Sequence, residues 1–352
     1  MCAGLVLLFE AGTQLLGIHF PAITRPEQQH GGLWTYDRSK GWFHKPEARS
    51  SSPLGGPDHA EIRTNSLGLR GAEVAASKPD GVKRILVFGD SYVFGVGLDE
   101  EHTLSARLER MLGAGGQRYE VVNLGVAGYS TDQEYVLFRE LATRLAPDLV
   151  VLVVCDNDFE GNTLDFVYRQ YYKPRFKLDV GGRLAADLAV APPLGSAQRV
   201  RLWLGRHSNA WNLVRSRESA MPRVQAILDL FQVDVPHPSS DDPVRLMLAL
   251  QRAFRAESQA LGAAFVTLNT AHARENTPLF QGLRPLLREH GIRLLGLEGM
   301  LGEARGREPE RHWDFGTDAH WNVDATRLVA SVLANYLRQQ GLVPAAEAAP
   351  TP

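Results

Sequence analysis

The chain of 352 residues has only 2 cysteines, Cys2 and Cys155, so no disulfide framework organises it. The same scarcity leaves no Cys/His spacing that would hold a metal, and neither metal nor cofactor is expected. Neither sign of charge is in excess: 38 Lys and Arg stand against 40 Asp and Glu, a formal net charge of -2. That balance argues against nucleic acid as a partner. Phosphate-binding motifs are missing too. Gly95-Val96-Gly97 is too short for a dinucleotide fingerprint, and there is no P-loop. The nearest thing to a long apolar run, Leu5 to Ile23, is broken by Glu10, Gln14 and His19. No Lys or Arg precedes it, so it lacks the basic start of a signal peptide. Three readings of it stand open: a trimmed membrane anchor, an amphipathic helix docked on the domain, or a poor signal sequence. Arg25, Arg38, Lys40 and Lys45 follow without fixing an orientation.

What the chain does have is a core. Hydrophobic residues make up 44% and charged residues 22%, the composition of a globular protein. Arg84 to Gly97, R-I-L-V-F-G-D-S-Y-V-F-G-V-G, is the stretch that the rest is arranged around. Ile85 to Phe88 run without alternation and stop at Gly89, as a strand buried on both faces does. Ser91 follows at the turn, where open α/β sheets place their ligands. Gly-Asp-Ser alone is also an ordinary turn, with Asp90 or Ser91 as a helix cap.

Before that strand, 28–80 is rich in Gly, Pro, Ser and Asp and reads as mostly loop, with a more purposeful segment at Ile62 to Gly71. After it, strand and helix alternate. Strands are expected at Tyr119 to Leu124, Leu149 to Val154, Ala263 to Leu268 and Arg293 to Leu297. Helices are expected at Thr103 to Leu112, from a capping box at Thr131 to Glu134 on to Leu145, from Asp241-Asp242-Pro243 with both acids capping it, at Pro278 to His290, and at Val323 to Gln340. Gly299 to Gly316 reads as a polar loop. Phe159 to Pro238 departs from the alternation, is rich in aromatic and basic residues, and reads as an insertion over the sheet edge, lid-like. Strands separated by helices imply a parallel sheet of five strands with helices on both faces.

Three further segments fall at strand ends or before the last helix. Gly128, in Asn123-Leu-Gly-Val-Ala-Gly128-Tyr-Ser, can present its N–H to a ligand. Asn157, in Cys155-Asp-Asn-Asp158, can donate a neutral amide to an oxyanion. His320, in Thr317-Asp318-Ala-His320-Trp-Asn, can take a proton from Ser91 while Asp318 orients its ring. Residues two apart in an extended turn point the same way, which favours Asp318 as the acid. Asp324 falls in the first turn of the final helix, and Asp314 would need the loop to fold back. A hydroxyl, two donors and a His/Asp pair are what acyl transfer requires.

The order of these motifs resembles the SGNH (GDSL-type) hydrolases, whose four signature residues match Ser91, Gly128, Asn157 and His320. The resemblance covers about Lys83 to Leu337 and implies a flavodoxin-like, three-layer α/β/α fold with a serine nucleophile and no metal. It also implies an oxyanion hole from the Ser91 and Gly128 N–H groups and the Asn157 side chain. Asp90, Tyr92, Tyr129, Asp158 and Trp321, beside these motifs, are expected to bind substrate. Two departures stand out: Cys155 occupies a position that is commonly Gly, and the acid lies two residues before the histidine rather than three. The D-x-H-W-N motif and Ile62 to Gly71 are similar to membrane-anchored bacterial members, which implies a cell-envelope location with the catalytic domain outside the cytoplasm. The domain reading is 1–24 anchor or docking helix, 25–82 irregular extension, 83–342 catalytic domain with an insertion at about 159–238, and 343–352 disordered tail. The expected function is a serine esterase acting on small-molecule or carbohydrate esters; an O-acyltransferase and an inactive binding module are the alternatives.

Overall fold

The computed structural model describes residues 9–13, 15–16, 32–52, 60–75, 77–114, 116–167, 171–188, 200, 203–204, 207–211, 239–270, 277–297, 299–315 and 319–345. Four short strands precede the main sheet: β1 (Trp34–Asp37), β2 (Gly41–His44), β3 (Arg49–Ser52) and β4 (Ala60–Arg63). β1 pairs with β2 and β3 with β4, both antiparallel. The main sheet consists of β5 (Val82–Gly89), β6 (Arg118–Gly125), β7 (Leu149–Val154), β12 (Ala264–Asn269) and β13 (Arg293–Gly296). Between β7 and β12 lie two small antiparallel pairs, β8 (Phe166–Val167) with β9 (Tyr171–Tyr172) and β10 (Arg175–Leu178) with β11 (Leu184–Leu188).

The five main strands are all parallel, in the spatial order β13-β12-β7-β5-β6. Taken in chain order this is 2-1-3-4-5, the flavodoxin-like arrangement, with its switch point between β5 and β7. Both faces of β7 and of Ile85 to Phe88 in β5 are buried, which explains the unbroken apolar sequence of these two runs. Leu86, Phe88, Val150, Leu152 and Val154 enter one core with Phe138 and Phe254. Ile85, Val87, Val151 and Val153 enter the other with Leu104, Leu108, Val329 and Leu333. The period of two along each strand thus feeds two separate helix layers. Each such fully buried side chain contributes about 1.5–3 kcal/mol.

The helices are α1 (Ser91–Phe94), α2 (Leu104–Gly113), α3 (Thr131–Leu145), α4 (Asp156–Gly161), α5 (Pro243–Ala260), α6 (Pro278–Glu289), α7 (Met300–Arg307) and α8 (Val323–Gln339). α3, α5 and α6 cover the first core, and α2 and α8 the second. Local starts follow from capping chemistry. Asp242 accepts the Arg245 N–H at 2.9 Å, with Pro243 at the first helical position. The Asn322 side chain accepts from the Asp324 and Ala325 N–H groups at the head of α8.

Four local expectations need correction. The capping box of α3 is Ser130 with Gln133, one residue earlier than expected, because Ser130 is extended (φ -113°) and Thr131 is already helical. Asp241 does not cap α5; its carboxylate accepts from Ser239 Oγ at 2.6 Å. The polar loop after β13 contains α7, with Glu303 and Arg307 paired across one turn at 2.8 Å. The extension read as mostly loop contains β1 to β4, held by tertiary contact: Trp34 and Trp42 are buried against the main domain.

The run Leu5 to Ile23 falls mostly outside the described residues. Where it is described, Glu10 accepts from the Asn209 N–H at 2.9 Å and the Ala210 N–H at 3.0 Å, tying this segment to the insertion. No helix among the described residues is long and apolar enough to cross a membrane.

Candidate active site

Ser91 is the first residue of α1, directly after β5. Asp90 caps this short helix by accepting the Tyr92 N–H at 3.0 Å, and its own carbonyl accepts the Phe94 N–H at 2.9 Å. The serine is thereby set on a sharp strand-to-helix turn. α1 lies against β6 because Gly125 has no side chain; a Cβ there would sit 2.1 Å from the Phe94 nitrogen. Asn123 completes the join. It donates to the Val93 carbonyl and accepts the Gly125 N–H, each at 2.9 Å.

His320 approaches from the loop before α8, and its Nε2 lies 2.7 Å from Ser91 Oγ. This loop folds back on itself. Asp314 and Trp321 form an isolated antiparallel bridge, and the Asn322 amide donates to the carbonyls of His312 (2.7 Å) and Asp314 (3.2 Å). Tyr92 supports the loop from below. Its ring lies 5.0 Å from that of His320 and 4.8 Å from Trp321, and its hydroxyl donates to the Ala319 carbonyl at 3.2 Å.

Of the three acids near the histidine, Asp318 lies outside the described residues. Asp324 is engaged at the head of α8, where both its oxygens take Arg311, at 2.9 and 2.7 Å. The fold-back that Asp314 required does occur, but its carboxylate meets Arg305 at 2.7 Å.

The two other donor positions follow strand ends at the same C-terminal edge of the sheet. Gly128 follows β6 with φ +80°, a conformation that favours glycine. Asn157 follows β7 as the second residue of α4, and is exposed. Cys155 takes the position commonly Gly without strain, since its φ is -108°. Its thiol is fully buried and accepts from the Thr270 hydroxyl at 3.3 Å; burial, with the charges of Asp90 and Asp158 nearby, pushes its pKa well up.

Two residues expected to bind substrate face inward instead. Tyr129 is fully buried, and its hydroxyl donates to the Trp42 carbonyl. Asp158 is fully buried and accepts the Cys155 N–H at 2.7 Å, bracing the turn into α4. Asp90, Tyr92 and Trp321 are buried as well; Tyr92 packs its ring against that of His320 while its hydroxyl serves the Ala319 carbonyl.

Sequence reading also missed a buried ionisable cluster beneath the site, made of Asp90, Asp132, Glu134, Asp158 and Lys173. Lys173, from the insertion, pairs with Asp132, whose pKa burial pushes up to about 6 despite the ammonium. Burial raises Glu134 and Asp158 well above the usual carboxylate range, and the neighbouring acids add to it. Neither oxygen of Glu134 has a hydrogen-bond partner among the described residues. A neutral acid fits that setting better than a carboxylate. Elsewhere among the described residues, Asp99, Glu101 and His102 bring possible metal-ligand atoms within 4.8 Å of one another; none belongs to the Ser91–His320 pair.

The model of the GDSL-like Lipase/Acylhydrolase family matches residues 87–287, a span that includes Ser91, Gly128 and Asn157 and ends before His320. No curated protein matches the chain. Among solved structures, an acetyl xylan esterase, AlAXEase, is 15% identical with a TM-score of 0.41, over 72% of this chain and 99% of its own. The psychrotrophic esterase EstA from Pseudoalteromonas is 13% identical with a TM-score of 0.40, over 73% and 98%. A mutant of Axe2, an acetyl-xylooligosaccharide esterase from Geobacillus, is 13% identical with a TM-score of 0.40, over 75% and 97%. Scores this low give no information about the substrate of this chain.

Proposed function

The chain belongs to the GDSL-like lipase/acylhydrolase family, the SGNH-type ester hydrolases, and from that premise we propose that it cleaves carboxylic esters through an acyl-enzyme on Ser91. The observation that carries this reading is the 2.7 Å approach of His320 Nε2 to Ser91 Oγ. At that distance the imidazole accepts the hydroxyl proton as Oγ attacks the ester carbonyl carbon. The carbonyl π electrons move onto oxygen, and the tetrahedral oxyanion takes hydrogen bonds from the Ser91 and Gly128 N–H groups and the Asn157 amide. On collapse, the ester C–O bond breaks and the leaving alkoxide takes the proton from His320. Water then repeats the sequence on the acyl-enzyme, releasing the carboxylic acid and restoring Ser91. Asp318 is the acid assigned to hold the ring.

The apolar stretch 5–23 supports attachment at the cell envelope, and the likeness of Ile62 to Gly71 to membrane-anchored relatives supports a catalytic domain outside the cytoplasm; fractionation of cells that express the full chain tests this. The decisive chemical experiment is hydrolysis of p-nitrophenyl esters of increasing chain length, with Ser91→Ala as control. Turnover by the wild type and none by the variant is the expected result. Near-normal turnover by Ser91→Ala overturns the mechanism. Adding a sugar acceptor to the same assay separates release to water from transfer to a hydroxyl, which would make the chain an O-acyltransferase.

A further inference from the structure

Two side chains outside the family match reach the backbone of both catalytic loops. Trp42, on β2, donates its indole N–H to the Ala127 carbonyl at 3.2 Å. That carbonyl belongs to the same peptide unit as the Gly128 N–H. A peptide is planar and trans, so its C=O and N–H point in opposite directions. Whatever fixes the Ala127 oxygen therefore fixes the line along which Gly128 donates. The Tyr129 hydroxyl, donating to the Trp42 carbonyl, closes the link from the other side.

Arg70, in the Ile62 to Gly71 segment, does the equivalent at the nucleophile. Its side chain is fully buried. Nη1 donates to the carbonyls of Phe94 and Gly95, each at 2.7 Å, and Nη2 donates to that of Leu98. These groups lie at and just beyond the C-terminus of α1, the helix that begins with Ser91. Carbonyls at a helix end lack partners within the helix, and a cation there opposes the end's negative potential. Glu100 lies 3.3 Å from Nε and offsets part of the buried charge.

Resting on the acyl-enzyme reading above, we propose that Trp42 and Arg70 are positioning residues, which make the N-terminal extension part of the oxyanion machinery. Trp42 aims the Gly128 N–H, and Arg70 sets the end of α1 so that Ser91 Oγ faces the ester carbonyl carbon while the Ser91 N–H meets the oxyanion. Both contacts act on the transition state through other groups and touch no substrate.

The experiment uses the full chain, with active sites counted by the p-nitrophenolate released when a p-nitrophenyl phosphonate blocks Ser91. Trp42→Phe keeps an aromatic ring and removes the N–H together with part of the indole's bulk, so the lost packing is read separately as thermal stability. Losing an oxyanion donor outright costs ~10²–10³ in kcat, and a misaimed donor should cost about 5–50-fold per titrated site, with KM within about 3-fold. Arg70→Met should behave alike, and Arg70→Lys should recover part of the loss. Arg84→Met is the control. Arg84 is equally buried, donating to the Leu145 and Ala75 carbonyls at the far end of β5, so its loss should lower thermal stability and leave kcat per site unchanged. Wild-type kcat per site in Trp42→Phe overturns the proposal, even if the titratable fraction falls, since that pattern is pure destabilisation. If Arg70→Met does not fold, Trp42→Phe still decides. Wild type that neither turns over esters nor reacts with the phosphonate would instead overturn the esterase reading, and this proposal with it.

Discussion

Ser91 Oγ and His320 Nε2 stand 2.7 Å apart across 229 residues of chain, one at the end of β5 and the other just ahead of α8. The sheet makes that meeting reproducible. β5 is locked between β6 and β7, and α8 is locked by Val329, Leu333 and Leu337 on the core that Ile85 and Val87 of β5 also enter. If the pair works as proposed, His320→Ala should cut ester turnover about as deeply as Ser91→Ala, and the double variant should be no worse. Additive losses would mean that the two residues do not act as one unit. Kinetics of the three purified variants supply the comparison.

The acid is tested by three substitutions in parallel. Asp318→Asn should lower kcat by a factor approaching that of His320→Ala, without loss of thermal stability. Asp324→Asn should mainly destabilise, since it loosens the two contacts with Arg311. Asp314→Asn disturbs the Arg305 contact and should leave kcat within a few-fold. A collapse of kcat in Asp314→Asn, with Asp318→Asn near wild type, would move the role to Asp314, which the folded-back loop already brings beside Trp321.

For Asn157 the expected signature is a kcat effect. Asn157→Ala should lose ~10²–10³ in kcat with little change in KM. The side chain is exposed, so stability should hardly move. A change confined to KM would assign Asn157 to substrate binding alone.

Glu134 gives a prediction with a definite sign. Its pKa is raised in the folded state, so above the ordinary carboxylate pKa the folded chain keeps a proton that the unfolded chain releases. That makes stability fall as pH rises through this window. Glu134→Gln removes the penalty. Its advantage over wild type should widen from pH 5 to pH 8, by at most ~1.4 kcal/mol per pH unit. His44, which burial holds down at about 3, works in the other direction: stability falls as pH drops from the unfolded histidine pKa toward that value. It is present in both proteins and cancels in the difference. Urea unfolding at several pH values provides the check, and a gap that stays constant with pH would show that Glu134 does not hold a proton.

The readable parts of this protein were those where one chemical need dominates locally. Leu149 to Val154 can hardly be anything except a strand buried on both faces, and the structure buries all six residues. The five-stranded parallel sheet followed from such runs. Short-range capping was less secure, because Ser130 and Thr131 are both competent caps and only the backbone angle of Ser130 decides between them. The hairpins of the extension left no clear signal. Two strands of four residues are stabilised by packing Trp34 and Trp42 against distant segments, not by their own pattern. The same holds for Tyr129 and Asp158. Their positions beside the motifs suggested a substrate, whereas their partners, Trp42 and Cys155 N–H, become visible only in three dimensions. His320 itself was legible; the brace that Tyr92 provides through the Ala319 carbonyl was not.

Cys155 has a practical use that follows from its burial. It is sealed at the entrance to α4, two residues before Asn157. A thiol so enclosed reacts with a maleimide or disulfide reagent only when the turn comes apart. Once modified it cannot be repacked beside Thr270, so labelling and loss of activity should proceed together. With Cys2 replaced, Cys155 is the chain's sole thiol, and the rate of its modification becomes a clock for how often the turn that carries Asn157 breathes open.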